Sequence, residues 1–100
     1  MFRVIYTVEC RAQLQKLRDY IAAQESRRVA ARYMKRLKAF CDELAIAPHR
    51  GEHREGIKFD QRSIGFERRV SVIFEVVDAE KVVNIAGIRY AGQQLDQASE

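Results

Sequence analysis

The chain has 100 residues, of which 47% are hydrophobic and 32% charged, and a formal net charge of +4. These values exclude a disordered tail and leave length for a single domain, which we place at residues 1–100. No apolar run approaches a membrane span and the N-terminus lacks a signal peptide, so we expect a cytoplasmic protein. The positive charge favours an anionic partner, either a nucleic acid or an acidic protein segment.

The chain begins with a pattern of one strand followed by one helix. Residues Phe2–Val8 are rich in β-forming side chains and predict the strand. Thr7 is a suitable N-cap for a helix that continues to Gln24. Apolar side chains at helical spacing give this helix one buried stripe: Leu14, Leu17 and Ile21.

A second amphipathic helix is predicted from the N-cap Ser26 to about Ala47, where Pro48 stops it. The connection between the helices is so short that they must be antiparallel neighbours. The exposed remainder of the second helix is strongly basic: Arg27, Arg28, Arg32, Lys35, Arg36 and Lys38.

The C-terminal half predicts a polar loop and then a sheet. Residues 49–61 form the loop, which could hold a short strand near Ile57–Phe59. Residues Arg62–Tyr90 are dense in β-branched and aromatic side chains and predict consecutive strands. The short charged break Asp78–Lys81 forces an antiparallel return. Residues 91–100 have the composition of a flexible tail.

The order of these elements predicts an α+β fold. An N-terminal strand and an antiparallel helical hairpin precede a three-to-four-stranded, mostly antiparallel sheet. Alternate residues from Val70 to Val76 provide an apolar face for the helices to cover. The other face, which carries Arg69, Ile73 and Glu75, would remain open as a groove for a partner or substrate.

The cysteines and histidines do not form a recognisable metal motif. Cys10 and Cys41 are far apart in the sequence, and neither forms a Cys-x-x-Cys pair. A metal site built from Cys41, His49 and His53 would lack a fourth ligand at a motif-like spacing. We therefore expect both cysteines in the core and predict no metal site and no cofactor.

The chain resembles the RelE/ParE superfamily of type II toxins. The residues that carry the resemblance are the Pro-x-x-Gly loop in Ala47–Gly51, the entry to the hairpin at Arg62–Ile64, the run Ile64–Val70, and the last strand with its aromatic-glycine turn, Val82–Gly92. The run Ile64–Val70 is most similar to ParE-like members, often described as plasmid-stabilisation toxins.

The resemblance implies a bacterial toxin held inactive by a cognate antitoxin, whose C-terminal segment covers the sheet groove and the helical hairpin. Two target classes occur in the superfamily. ParE-like members poison DNA gyrase and are not known to need a catalytic residue, whereas RelE-like members are endoribonucleases that cut mRNA on the ribosome. Neither branch implies a cofactor.

The ribonuclease chemistry requires groups that move protons and cations that neutralise the phosphate. The candidates that match the RelE-like pattern in type are Lys58, Arg62, Arg68, Arg69, Arg89 and Tyr90. Residues 91–100 contain no Arg, Lys, His or Tyr, so the RelE-like arginine and tyrosine of that region have no match. His49 and His53 could act as acid and base in another type of ribonuclease, but they have no evident orienting partner.

The absence of a matching arginine and tyrosine in residues 91–100 favours the ParE-like function, and we predict no catalytic residue. We predict that the target-binding or antitoxin-binding residues are Arg62, Arg68, Arg69, Arg89 and Tyr90. Two simpler explanations stay open. The arginines could only pair with Glu67 and Glu75 across strands, and Tyr90 could be an aromatic at the edge of the core.

Two further possibilities have different consequences. The protein could be a non-toxic member of the superfamily, or a nucleic-acid-binding module. A binding module needs aromatic side chains interleaved with basic ones on an exposed face. Phe66 and Tyr90 are the only good candidates for that role in the sequence.

Overall fold

A computed structural model describes residues 1–54 and 60–91. The elements in chain order are β1 (Arg3–Tyr6), α1 (Val8–Gln24), α2 (Arg27–Asp42), β2 (Glu52–His53), β3 (Gln61–Phe66), β4 (Val70–Val77) and β5 (Val82–Tyr90). The predicted strand near Ile57–Phe59 and residues 92–100 of the predicted tail lie outside the described residues.

The five strands form one sheet in the order β1-β5-β4-β3-β2. Strand β1 runs parallel to β5, and the other neighbouring pairs are antiparallel. The helical hairpin is the connection that carries the chain from the β1 edge across one face of the sheet. The predicted α+β fold is confirmed. The sheet has one strand more than the largest number of strands that the sequence predicted.

Both helices begin at the predicted N-caps. The Thr7 hydroxyl oxygen accepts the Cys10 N–H at 3.1 Å, and the Ser26 hydroxyl oxygen accepts the Val29 N–H at 3.1 Å. Such caps satisfy amide groups that have no partner within the helix. The Thr7 hydroxyl also donates to the carbonyl of Ile85 at 3.1 Å, which fixes the start of α1 against β5.

Helix α2 is shorter than predicted. It ends at Asp42, and a 3₁₀ turn, Glu43–Ala45, follows it. The Phe2 N–H donates to the Ala45 carbonyl at 2.8 Å, so this turn lies against the N-terminal segment. The prediction that α2 continues to about Ala47 is therefore wrong for the α-helix, because the chain tightens into a 3₁₀ turn after Asp42, although Ile46 and Ala47 still donate to the Glu43 carbonyl.

Strand β2 was not predicted, because its two residues are too few to show an alternating pattern. Its position depends on Gly51, which has a φ of +82°. A Cβ at this glycine would lie 2.4 Å from the Ser63 carbonyl oxygen, so only glycine allows the loop to approach β3 so closely.

The core lies between the helical hairpin and one face of the sheet. Its fully buried side chains come from both helices and from the central strands, and include Cys10, Leu17, Leu37, Cys41, Leu44, Val72, Phe74, Val83, Ile85 and Ile88. The expectation that both cysteines are core residues is confirmed. Burial raises the thiol pKa of Cys10 to about 11 and that of Cys41 to about 12, so both stay protonated and unreactive at neutral pH.

None of the described helices has both the length and the hydropathy needed to span a membrane.

An irregularity in β5 decides which of its side chains reach the open face. Ile73 lies opposite Gly87 whereas Phe74 lies opposite Ile85, so Ala86 is an extra residue in β5. Ile85 and Ile88 are consequently both buried in the core. Strand β1 does not extend along this part of the β5 edge. There the side-chain oxygen of Gln13 accepts the Ile88 N–H at 2.8 Å.

Candidate functional site

A pocket of about 220 Å³ lies on the open face of the sheet and extends to the edge of β5, where Gln13 of α1 reaches it. The residues that line it are Gln13, Arg54, Gln61, Ile73, Ala86, Gly87, Ile88 and Arg89. We call it the open-face pocket. Arg89 reaches this face because it lies opposite Ser71 beyond the extra residue of β5. The open face therefore has a concave region lined by Ile73, as predicted, but Arg69 and Glu75 do not line it.

Arg54 is a pocket residue that sequence reasoning missed. Its backbone N–H donates to the Gln61 carbonyl at 2.9 Å, which holds it beside the start of β3. The Arg54 Nε is buried and has no hydrogen-bond partner among the described residues. A buried donor without a partner is costly, and an anionic ligand in the pocket would satisfy it. The only sequence signal was one more arginine in a polar loop.

The chemistry of the open-face pocket suits binding more than proton transfer. The lining, within the described part of the chain, contains two arginines and no histidine, lysine, tyrosine or carboxylate. Arginine stays charged in proteins and presents several donors, so it can hold a phosphate or carboxylate. A general acid or base instead needs a pKa near the working pH. Lys58, a candidate for the ribonuclease chemistry, lies outside the described residues.

The turn between β3 and β4 carries Arg68 and Arg69 at its tip, and both are exposed. Glu67 and Arg68 have φ values of 47° and 71°, a conformation that is unfavourable for residues other than glycine. Arg36 of α2 holds the turn through two hydrogen bonds. Its Nε donates to Glu67 Oε2 at 2.9 Å, and its Nη2 donates to Glu67 Oε1 at 3.0 Å. The prediction that Arg69 belongs to the open face of a strand is wrong, because β4 begins only at Val70.

The pairing with Arg36 makes stability depend on pH. The hydrogen bonds from Arg36 hold the pKa of Glu67 below its ordinary value. A lowered folded-state pKa stabilises the protein above the unfolded pKa, and this contribution is lost as the pH falls through the folded pKa.

We expect Glu67→Gln to reduce the loss of stability between about pH 5.5 and 3.5, measured from urea midpoints. Glu80→Gln, which removes an exposed carboxylate at the other end of β4, is the matched control. An identical pH dependence in wild type and Glu67→Gln would contradict this prediction.

Arg62 does not join the other predicted residues. It lies opposite Phe74, on the face that the helices cover, and its side chain is only 15% exposed. Its Nε donates to Asp60 Oδ1 at 3.0 Å. The alternative that Arg62 only pairs with Glu67 or Glu75 does not hold, because Arg62 pairs with Asp60 and Glu67 pairs with Arg36.

Tyr90 is half-buried at the edge of the core. Its ring meets the ring of Tyr20 edge-on, with 5.6 Å between centroids. The next residue, Ala91, donates its N–H to the Arg69 carbonyl at 2.8 Å. Arg68, Arg69, Arg89 and Tyr90 therefore lie at one end of the sheet, while Arg62 lies along β3, nearer the sheet's middle.

A larger groove of about 460 Å³ lies between the two helices and β1. We call it the helical groove. Leu14, Met34 and Leu37 provide apolar lining, and four cationic side chains surround it: Arg11, Arg18, Lys35 and Lys38. An apolar floor with a basic rim is complementary to an amphipathic acidic segment. Sequence analysis had identified the basic helix face but not the groove.

One wall of the helical groove is fixed by a polar network. The Tyr6 hydroxyl donates to Asp42 at 2.6 Å, and Lys38 Nζ lies 2.9 Å from the other oxygen of this carboxylate. Burial and the bond to Asp42 raise the pKa of Tyr6, so it remains a hydrogen-bond donor. Burial opposes ionisation of Asp42, but the bonds from Tyr6 and Lys38 prevail and lower its pKa.

Comparison with protein families gives one match that spans nearly the whole chain. The family model described as the ParE toxin of the type II toxin-antitoxin system parDE matches residues 4–95. A search of curated protein sequences gave no significant match.

Several solved structures share the fold. A chromosomal ParDE system from P. aeruginosa aligns with a TM-score of 0.76 at 18% identity, covering 90% of this chain and 96% of that one. The isolated E. coli RelE toxin aligns with a TM-score of 0.68 at 14% identity, covering 94% and 88%. A RelE-RelB complex from Pyrococcus horikoshii OT3 aligns with a TM-score of 0.51 at 19% identity, covering 93% and 98%.

Proposed function

The chain belongs to the ParE toxin family of type II toxin-antitoxin systems, and from this premise we propose that it is neutralised by a cognate antitoxin and acts on DNA gyrase. The single observation that carries the proposal is the family match over residues 4–95. The chemistry of the two surfaces supports the proposal, and we propose a different role for each surface.

The helical groove is the surface that suits the antitoxin. Its apolar lining would accept the hydrophobic side of a helix, and its four cations would pair with carboxylates on the other side. The groove is about twice as large as the open-face pocket, by their volumes of 460 and 220 Å³. A segment that binds here has room to bury several side chains.

The open face and the β3–β4 turn suit contacts with the target. Arg68 and Arg69 project from a turn that Arg36 holds in place, and Arg89 lies at the same end of the sheet. A protein that inhibits an enzyme by binding needs such preorganised contacts and no proton-transfer groups of its own. The lining of the open-face pocket agrees with this requirement.

The proposal is tested by inducing the protein without antitoxin and assaying two purified targets in parallel. We expect inhibition of gyrase supercoiling and no cleavage of mRNA on ribosomes. In the supercoiling assay Arg69→Glu, at an exposed turn position, should weaken gyrase inhibition while its circular dichroism spectrum stays native. Normal supercoiling with the wild-type protein would reject the gyrase assignment, and an unaltered Arg69→Glu variant would reject the role of that residue.

A ribosome-dependent ribonuclease is the second candidate, because Arg54 and Arg89 in the open-face pocket could bind a phosphate. The buried Arg54 Nε without a partner among the described residues is the observation that favours it. Codon-phased mRNA cuts with normal supercoiling would establish this function. Salt-sensitive binding to bare DNA or RNA without toxicity would instead indicate a nucleic-acid-binding module.

A further inference from the structure

Three side chains with metal-binding atoms converge at the end of the sheet opposite to Arg68 and Arg69. His49 lies in the loop after α2, Asp60 lies just before β3, and Asp78 directly follows β4. One potential ligand atom from each lies within 4.8 Å of the other two. His49 Nε2 is only 2.8 Å from Asp78 Oδ1. Neither the helical groove nor the open-face pocket includes these residues.

The spacing is close to that of ligands around a single metal ion. Zinc binds histidine nitrogen and carboxylate oxygen at about 2.0–2.1 Å, so neighbouring ligands in a tetrahedral site are roughly 3.4 Å apart. The His49 and Asp78 atoms are joined by a hydrogen bond of 2.8 Å, so they lie closer than this and a metal ion would have to replace the proton between them. Both side chains are about half exposed, at 48% and 61%, so they can rotate to close the remaining distance without disturbing the core.

Surrounding contacts orient two of the three candidate ligands. Asp60 is 25% exposed, and its Oδ1 lies 3.0 Å from both Arg62 Nε and His53 Nε2. Both contacts involve the same oxygen, and a carboxylate offers a second one for a metal ion. The His49 ring meets the ring of Phe2 edge-on, with 5.8 Å between centroids. Hydrogen bonds and packing that orient ligands in this way are typical of metal sites.

We propose that His49, Asp60 and Asp78 bind a divalent transition-metal ion, Zn²⁺ in the first instance. Imidazole and carboxylate ligands suit this class of ion, and the two carboxylates neutralise its charge. His53 positions Asp60, and one coordination position is left for water. The ion joins the loop after α2 to the ends of two central strands, so its role is to stabilise this end of the sheet.

The test is titration of the full-length chain, free of any histidine tag and stripped of metal, with Zn²⁺ and separately with Co²⁺. We expect saturable binding of one ion per chain and a rise in melting temperature. Bound Co²⁺ should show visible absorption without a sulfur charge-transfer band, because both cysteines are buried in the core. A sulfur band would overturn the proposal, since the ligands would then be cysteines.

Variants distinguish this site from unspecific binding to surface carboxylates. His49→Gln and Asp78→Asn should each weaken Zn²⁺ binding by about 100-fold, and His53→Gln, which acts through Asp60, by about tenfold. The matched control is Asp19→Asn, which removes an exposed carboxylate on α1 and should leave the affinity unchanged within measurement error. Equal affinities in the wild type, His49→Gln and Asp78→Asn, or no saturable binding by the wild type, would overturn the proposal.

Discussion

Phe74→Ala is expected to destabilise the protein by about 3–5 kcal/mol. Phe74 is fully buried in β4, between β3 and β5, and it belongs to the cluster that includes Leu17 and Leu37 of the helices. Truncation removes the burial of an aromatic ring and leaves a cavity that the surrounding sheet cannot close. Since small domains are stable by only about 5–15 kcal/mol, a large part of the stability would be lost.

Urea denaturation followed by circular dichroism measures this loss directly. Val77→Ala is the control, because Val77 is half-buried at the end of the same strand, and its truncation should cost only about 1 kcal/mol. Similar losses in both variants would contradict the assignment of Phe74 to the centre of the core.

Met34→Glu is expected to weaken antitoxin binding by about 100-fold, the effect of replacing a central apolar contact with a carboxylate in the interface. Met34 is a half-buried residue of α2 that lines the helical groove. A carboxylate there would also repel the acidic segment that the surrounding cations favour. The affinity is measured by calorimetric titration of the purified variant with purified cognate antitoxin.

The control for this prediction is Val8→Glu, which places the same carboxylate at an exposed apolar residue that does not line the groove. Val8 is 76% exposed in the first turn of α1, where a negative charge is favourable. This variant should retain wild-type affinity. If Met34→Glu folds and binds the antitoxin as tightly as Val8→Glu, the antitoxin does not bind in the helical groove.

The sequence predicted the helical hairpin correctly because its signals are local. Thr7 and Ser26 satisfy the first amide groups of their helices. The spacing of Leu17 and Ile21 places both on one face of α1, which can be inferred without knowing any other element. The α+β fold followed from the order of the elements. The end of α2 was missed, because the apolar stripe continues to Leu44, which is buried in the 3₁₀ turn that follows the helix.

The candidate site was less predictable than the fold. Charge and position in the sequence selected Arg62, Arg68, Arg69 and Arg89 as candidates, but they could not show that Arg62 faces the helices and binds Asp60. The pocket residue Arg54 and the extra residue Ala86 have no local sequence signal. Ala86 acquires its role only when β5 shifts register beside β4, and Arg54 only when its N–H bonds to the Gln61 carbonyl.

By itself, the sequence determined the class of fold, both helix starts, the apolar face of β4 and the basic face of α2, since each depends on neighbours a few residues away. Only the tertiary structure decided the grouping of distant residues, such as Arg36 with Glu67 and His49 with Asp60 and Asp78. The physical reason is that side-chain periodicity assigns a residue to a face of its own element. Strand register, turn geometry and packing between elements then decide which faces meet.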